Sequence, residues 1–163
     1  MPLNVLFLCT HNSARSILAE ALLNHLGGGR FRAFSAGSSP REHQQPNPLA
    51  LAALAQAGVD TRGLRSKSWD EFASPGAPAM DLIITVCDNA AGEVCPIWPG
   101  HPATAHWGHA DPSEVQGSEA ERLAAFQKTF GALRQRLCRL LDLPDHQLER
   151  QRLQASARAL SEA

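Results

Sequence analysis

The strongest constraint on this chain is a short run near its start, Cys9-Thr10-His11-Asn12-Ser13-Ala14-Arg15-Ser16: a cysteine, five residues, an arginine, then a serine. The segment before it, Leu3-Asn4-Val5-Leu6-Phe7-Leu8, is nearly continuous apolar sequence, the pattern of a parallel strand buried on both faces. The segment after it places apolar residues at Ile17, Leu18, Ala21, Leu22 and Leu26, which is helical spacing, closed by Gly27-Gly28-Gly29. The run is therefore a tight turn between a buried strand and a helix N-terminus. Backbone N–H groups and the helix dipole make such a turn a cradle for a tetrahedral oxyanion. Arg15 adds a planar fork that grips two oxygens at once. The same field favours a thiolate at Cys9: free cysteine titrates near ~8.5, and sites of this kind lower that to roughly 3.5–7.5. Ser16 is placed to donate a hydrogen bond to the Cys9 sulfur. The chain contains no G-x-x-x-x-G-K-[ST] run, so a nucleotide-binding loop of that type is excluded.

The same strand–helix alternation continues. A second strand fits Phe31 to Ser35, closed by Ala36-Gly37, and a loop rich in proline and serine occupies residues 38–47. Asn47-Pro48 opens a helix that runs to Gly58, with proline at its first position. Ser68 to Phe72 reads as a short helix, and Asp81 to Val86 as a third buried strand ending at Cys87. Thr104 to Trp107 suggests a fourth strand. From about Ser118 a long helix carries Leu123, Phe126, Phe130, Leu133, Leu137 and Leu140, and Leu143-Pro144 stops it. Residues 145–163 suggest one more helix, charged and weakly patterned, with Leu148, Leu153, Ala157 and Leu160 as its apolar positions. The reading is one α/β domain, a parallel sheet covered on both faces, with residues 1–144 as the catalytic body and 145–163 as a helical extension of it. Ligands in such sheets sit just past the carboxyl ends of the strands.

Composition narrows the class. Fifteen basic and sixteen acidic residues leave a formal charge of −1, which lacks the basic footprint of a nucleic-acid binder. No stretch approaches 18 apolar residues and no charged signal region precedes Val5, so the expectation is a cytoplasmic protein that neither crosses nor anchors to a membrane. Four cysteines in 163 residues are too few for a disulfide-framed fold.

The strand with Cys9 to Ser16 and the adjoining Ile17-Leu18-Ala19-Glu20 resembles the low-molecular-weight protein tyrosine phosphatase superfamily. Within it the chain is more similar to the thiol-dependent, thioredoxin-coupled arsenate reductases. Further stretches carry the likeness: Ser35-Ala36-Gly37, Asn47-Pro48, Cys87 through Cys95-Pro96-Ile97-Trp98-Pro99, and Ala105-His106-Trp107-Gly108 leading to Asp111-Pro112. The resemblance spans residues 3 to about 142 and implies a four-stranded parallel sheet flanked by helices.

It also implies a chemistry. Residues Thr10 to Ser16 would hold arsenate, with phosphate or sulfate as mimics. Cys9 would attack arsenic, Arg15 would grip its oxygens, and Asp111 would protonate the leaving oxygen. Cys87 and Cys95 would supply and relay the electron pair. No cofactor and no metal are expected to be bound; the final disulfide would be reduced by thioredoxin, or by glutathione with glutaredoxin. Cys138, on the long helix, is expected to be a spectator.

Departures from the family pattern sharpen the reading. Ser113 comes after Asp111-Pro112 where the phosphatases carry an aromatic residue for a phosphotyrosine ring, which weakens the alternative of a phosphatase acting on phosphate monoesters. His11 stands where the family loop has glycine, which calls for an altered backbone there, and Ala14 replaces a second loop cysteine. Some reductases bind potassium through residues matching Asn12, Glu20 and Ser35 plus an acid. Lys67 stands at the acid's position, and its ammonium is expected to replace the ion. A second alternative is a metal site, since Cys87, Cys95, His101, His106 and His109 cluster; but no Cys-x-x-Cys is present and three prolines interrupt the stretch, so His106 and His109 are as readily loop residues framing Asp111.

Overall fold

The computed structural model describes residues 2–87 and 102–162. Four strands, β1 (Leu3–Cys9), β2 (Phe31–Gly37), β3 (Leu82–Thr85) and β4 (Ala103–His106), form one sheet in the order β2-β1-β3-β4. Every pairing is parallel; the central strands β1 and β3 are near-continuous apolar runs buried on both faces, while the edge strands β2 and β4 expose Arg32 and Thr104. Five α-helices are described: α1 (Arg15–Leu26), α2 (Pro48–Gln56), α3 (Asp70–Ala73), α4 (Glu119–Leu141) and α5 (Arg150–Ala159), with short 3₁₀ turns at Pro112–Glu114, Asp145–Gln147 and Leu160–Glu162.

Side chains alternate along β1, and this divides the core. Val5 and Phe7 point into the larger cluster, with Ile17, Leu18 and Leu22 of α1, Phe126, Leu133 and Leu137 of α4, and Leu153 and Ala157 of α5. Leu6 and Leu8 point the other way, into a smaller cluster with Trp69, Phe72, Met80 and Ile83. From Val5 to Cys9 the central strand is thus buried, which fixes its carboxyl end and the loop that leaves it.

Local chemistry sets the helix ends. Asn47 caps α2 by accepting from the Leu49 N–H at 2.9 Å, with Pro48 at the first helical position. Ser118 caps α4 by accepting from the Glu121 N–H at 3.1 Å and donates to the Glu121 carboxylate at 3.2 Å. Arg30 closes the far end of α4, donating to the Leu141 carbonyl at 2.6 Å and the Leu143 carbonyl at 3.1 Å. The extension beyond Pro144 folds back on the sheet: Leu153 and Ala157 join the main core, and polar side chains of α5 meet the edge of β4. Among the described residues no helix is long and apolar enough to cross a membrane.

Candidate active site

β1 ends at Cys9, and the chain bends through residues 10–14 before α1 begins at Arg15. Four carbonyls of this loop are taken by residues from other segments. Ser38 N–H donates to the Cys9 carbonyl at 3.0 Å, Ser39 N–H to Thr10 at 2.8 Å, Asn47 N–H to Ser13 at 2.8 Å, and the Ser66 hydroxyl to Asn12 at 2.6 Å. The backbone N–H groups of residues 11–16 donate to no acceptor among the described residues. No side chain caps α1 and its first turn holds no acid, so the helix dipole acts on the loop uncompensated. Buried donors of this kind are costly unless a ligand accepts from them. Arg15 Nε is one more, buried and without a hydrogen-bond partner among the described residues. These donors fit an anion.

The loop is held open from below. Asn12 is fully buried and takes the left-handed conformation, φ 56. Its side chain donates to Ser16 Oγ at 2.7 Å and accepts from the Lys67 N–H at 3.0 Å. The altered backbone expected at His11 therefore falls one residue later. Asn12 tolerates that region better than most residues because its short amide bonds locally. Gly37 lies directly under the turn: a Cβ there would meet the Thr10 carbonyl at 2.6 Å and the Asn12 nitrogen at 3.0 Å. Beside it, Lys67 Nζ donates to the Ser35 and Arg65 carbonyls, both at 2.8 Å, and lies 3.7 Å from Glu20, whose carboxylate also accepts from the Ser35 hydroxyl. The Lys67 ammonium therefore sits against Glu20 and Ser35, two of the residues singled out for a cation, while its backbone N–H takes the third, Asn12. Burial lowers the Lys67 pKa, with Glu20 pulling the other way.

The strand order brings the second thiol to the first. Leu8 pairs with Thr85 and the Val86 N–H donates to the Leu8 carbonyl at 2.9 Å, so Cys87 emerges beside Cys9. Cys87 is the largest single influence on the Cys9 thiol, and Thr10 Oγ1 lies 3.6 Å from Cys87 Sγ. Cys9 is 5% exposed and Cys87 2%. This contact reverses one expectation. The hydrogen bond from Cys87 and burial together push the Cys9 thiol well above its ordinary range, against the downward pull of Arg15 and the Thr10 N–H. Ser16, expected to donate to the Cys9 sulfur, is instead seen accepting from Asn12 at 2.7 Å.

Asp111 completes the group. Its Oδ2 lies 3.6 Å from Arg15, and its Oδ1 accepts from the Ser113 N–H at 2.9 Å and the Ser113 hydroxyl at 2.7 Å. Arg15 also donates to the His109 carbonyl at 2.8 Å. Cys9, Arg15, Cys87 and Asp111 thus converge, whereas Cys95, along with Pro96 to Pro99 and His101, lies outside the described residues. Sequence reading missed two participants. Ser113, noted only for the aromatic it replaces, holds Asp111. His109, read as a loop residue, presents the carbonyl on which Arg15 docks. The Asp111-Pro112-Ser113 turn is the signal that could have found Ser113, since Asp and Ser two residues apart often bond this way. His106 Nδ1 instead bonds Thr85 Oγ1 at 2.7 Å. Among the described residues no three His, Cys, Asp or Glu side chains converge as metal ligands. Cys138 is half-buried on α4 and free.

A four-stranded parallel sheet with a strand–loop–helix cradle of cysteine and arginine at its carboxyl edge defines an oxyanion enzyme of the phosphatase type. The chain belongs to the low molecular weight phosphotyrosine protein phosphatase family, which matches residues 4–155. An arsenate reductase from Bacillus subtilis is 36% identical over 133 residues, covering 82% of this chain and 91% of the relative. A solved arsenate reductase from Archaeoglobus fulgidus superposes with a TM-score of 0.65 at 26% identity, over 85% of this chain and 99% of that one. A thioredoxin-dependent arsenate reductase from Corynebacterium glutamicum gives 0.58 at 28% identity, over 86% of this chain and 62% of that one.

Proposed function

We infer that this chain is an enzyme that reduces arsenate to arsenite by thiol chemistry. The observation that carries the reading is the second thiol, Cys87, buried beside Cys9 at the end of the neighbouring strand, next to the loop whose donors fit an anion. Hydrolysis of a phosphate ester needs one nucleophilic cysteine; reduction needs a partner that gives up the second electron with the first.

Arsenate binds to the N–H groups of the loop and to Arg15. Its arrival beside Cys9 displaces the Cys87 contact and puts a negative oxyanion, itself a base, next to the Cys9 proton. Cys9 attacks arsenic; an As–O bond breaks, and Asp111 supplies the proton with which the oxygen leaves as water, hydroxide being a poor leaving group. Cys87 then attacks the sulfur of Cys9. The S–As bond breaks with its electron pair on arsenic, arsenite leaves, and two thiols have become one disulfide. Cys95 attacks Cys87 and releases Cys9. The resulting Cys87–Cys95 disulfide is reduced by a dithiol partner of the thioredoxin class, with glutathione and glutaredoxin as the other candidate donor. Lys67 supports the loop in place of a bound cation.

The test is arsenite production by the wild type and by single serine variants of Cys9, Cys87, Cys95 and Cys138, with thioredoxin and glutathione/glutaredoxin each supplied in turn. The first three variants lose turnover and the fourth keeps it. Brisk hydrolysis of para-nitrophenyl phosphate that survives serine at both 87 and 95, with no arsenite formed, would return the chain to the phosphatases.

A further inference from the structure

The extension after Pro144 reaches the site through a chain of contacts that the proposed chemistry does not itself require. Along the edge of the sheet, α5 stands in for a fifth strand. Gln154 accepts from the Thr104 N–H at 3.1 Å, and Arg158 Nε donates to the Thr104 carbonyl at 3.0 Å. Further on, the buried Trp107 indole donates to the Ala157 carbonyl at 2.9 Å. Then comes Arg136, on α4. One terminal nitrogen lies 3.2 Å from His109 Nε2 and 3.5 Å from the Gly108 carbonyl. The other donates at 3.1 Å to the Ser161 carbonyl, in the last turn of the chain.

His109 is the junction. A guanidinium only donates, so the Nε2 facing Arg136 is an acceptor and the ring is neutral with its proton on Nδ1. Burial, Arg136, Arg15 and His106 all oppose its charging and bring its pKa down to about 4. Its backbone carbonyl receives Arg15, and its N–H donates to the Val86 carbonyl, one residue before Cys87. Asp111 comes two residues later. One residue thus ties the oxyanion-gripping arginine, the strand end bearing the second thiol and the segment bearing the acid.

We propose that Arg136 is a positioning residue for oxyanion binding: held between the Ser161 carbonyl and the His109 ring, it clamps the 108–111 segment so that Arg15 meets the anion in register. The C-terminal turn is then part of the site's scaffold. Without Ser161, Arg136 is held only from the 108–109 side among the described residues; without Arg136, the His109 ring loses this contact and the carbonyl that orients Arg15 is free to shift. The inference rests on the arsenate reading for its substrate, but not for its phosphate readout.

The experiment compares the wild type, Arg136→Gln, Arg136→Lys, a chain ending after Leu160, and the Gln variant combined with that shortening. All are assayed well below their melting points, for arsenate KM and kcat and for the Kd of inorganic phosphate. Arg136→Gln raises KM and the phosphate Kd by about tenfold, with a smaller effect on kcat. The shortened chain moves both in the same direction, the double variant is no worse than Arg136→Gln alone, and lysine recovers part of the loss because it still donates to His109. Unchanged phosphate affinity in either the Gln variant or the shortened chain overturns the proposal, as does a fall confined to kcat. If one of the two does not fold, the other decides. A wild type that binds phosphate but makes no arsenite would overturn the reductase reading and leave the phosphate comparison to judge Arg136.

Discussion

Gly37→Ala tests whether the loop is held in shape from beneath. Gly37 is the last residue of β2 and pairs with Cys9. Its φ is not in the left-handed region, so alanine meets no backbone penalty and the whole effect is crowding. The added methyl would stand 2.6 Å from the Thr10 carbonyl, about 0.8 Å short of the 3.4 Å at which ordinary contact begins, and 3.0 Å from both Asn12 N and His11 C. All three atoms are loop backbone and cannot swing aside as a side chain would. Relief requires the loop to rise off the sheet by several tenths of an ångström, carrying its anion-facing N–H groups along. Overpacking of this kind costs about 1–3 kcal/mol, which in a domain of this size lowers Tm by roughly 2–10 °C. Displacement of the donors lowers kcat/KM for arsenate by about 10- to 100-fold. Gly76→Ala is the control, since nothing lies within 4 Å of its added methyl. Calorimetry and steady-state arsenite formation give the two readouts. A Gly37→Ala protein that binds phosphate and reduces arsenate like the wild type would refute the claim that this close approach shapes the cradle.

The geometry sets three other outcomes. Cys87→Ala removes the hydrogen bond that most raises the Cys9 thiol, so the midpoint of Cys9 alkylation by iodoacetamide against pH moves down, while Cys87→Ser, which still donates, moves it less; an unchanged or higher midpoint in the alanine variant contradicts the assignment. Lys67→Ala leaves Glu20 facing Ser35 without its ammonium and destabilises the fold by about 3 kcal/mol, whereas the wild type melts at the same temperature in potassium chloride and in sodium chloride of equal ionic strength; a potassium-specific rise in the wild type would refute the stand-in role. His109 titrates at about 4 when folded against an ordinary 6.5. Between those values the unfolded chain binds the extra proton, so stability falls as pH falls through the window, by about 1–3 kcal/mol for a group with partial solvent access. His109→Gln flattens that slope in denaturant melts from pH 7 to 4, and an equally steep slope in the variant would assign the loss elsewhere.

What the sequence revealed was what short segments decide for themselves. The strand Leu3–Cys9, the turn and the helix from Arg15 come from an apolar run, a polar break and helical spacing within a few residues. The caps at Asn47 and Ser118 are equally local. Cys87 could be placed near Cys9 because parallel strands share a carboxyl edge, and β1 and β3 are neighbours in the sheet. The upward push on the Cys9 thiol was hidden for the same reason. Spacing identifies the donors that lower a thiol's pKa, but only packing shows that the second thiol and the protein interior oppose them. The roles of His109 and Arg136 were invisible because each depends on contacts across 27 to 94 positions with no repeating pattern. The last helix was faint for a related reason. It docks as much by Gln154 and Arg158 on a strand edge as by an apolar stripe.

In the proposed cascade the central step is disulfide formation between Cys9 and Cys87, which leaves an electron pair on arsenic, and a single turnover measures it directly. Fully reduced Cys95→Ser protein is mixed with excess arsenate and no reductant, then quenched with acid, and arsenite and peptide disulfides are counted together. The prediction is one arsenite per chain, matched by one disulfide joining the peptides that contain Cys9 and Cys87. Bound arsenate with both thiols still free, or arsenite formed with the disulfide elsewhere, would contradict it.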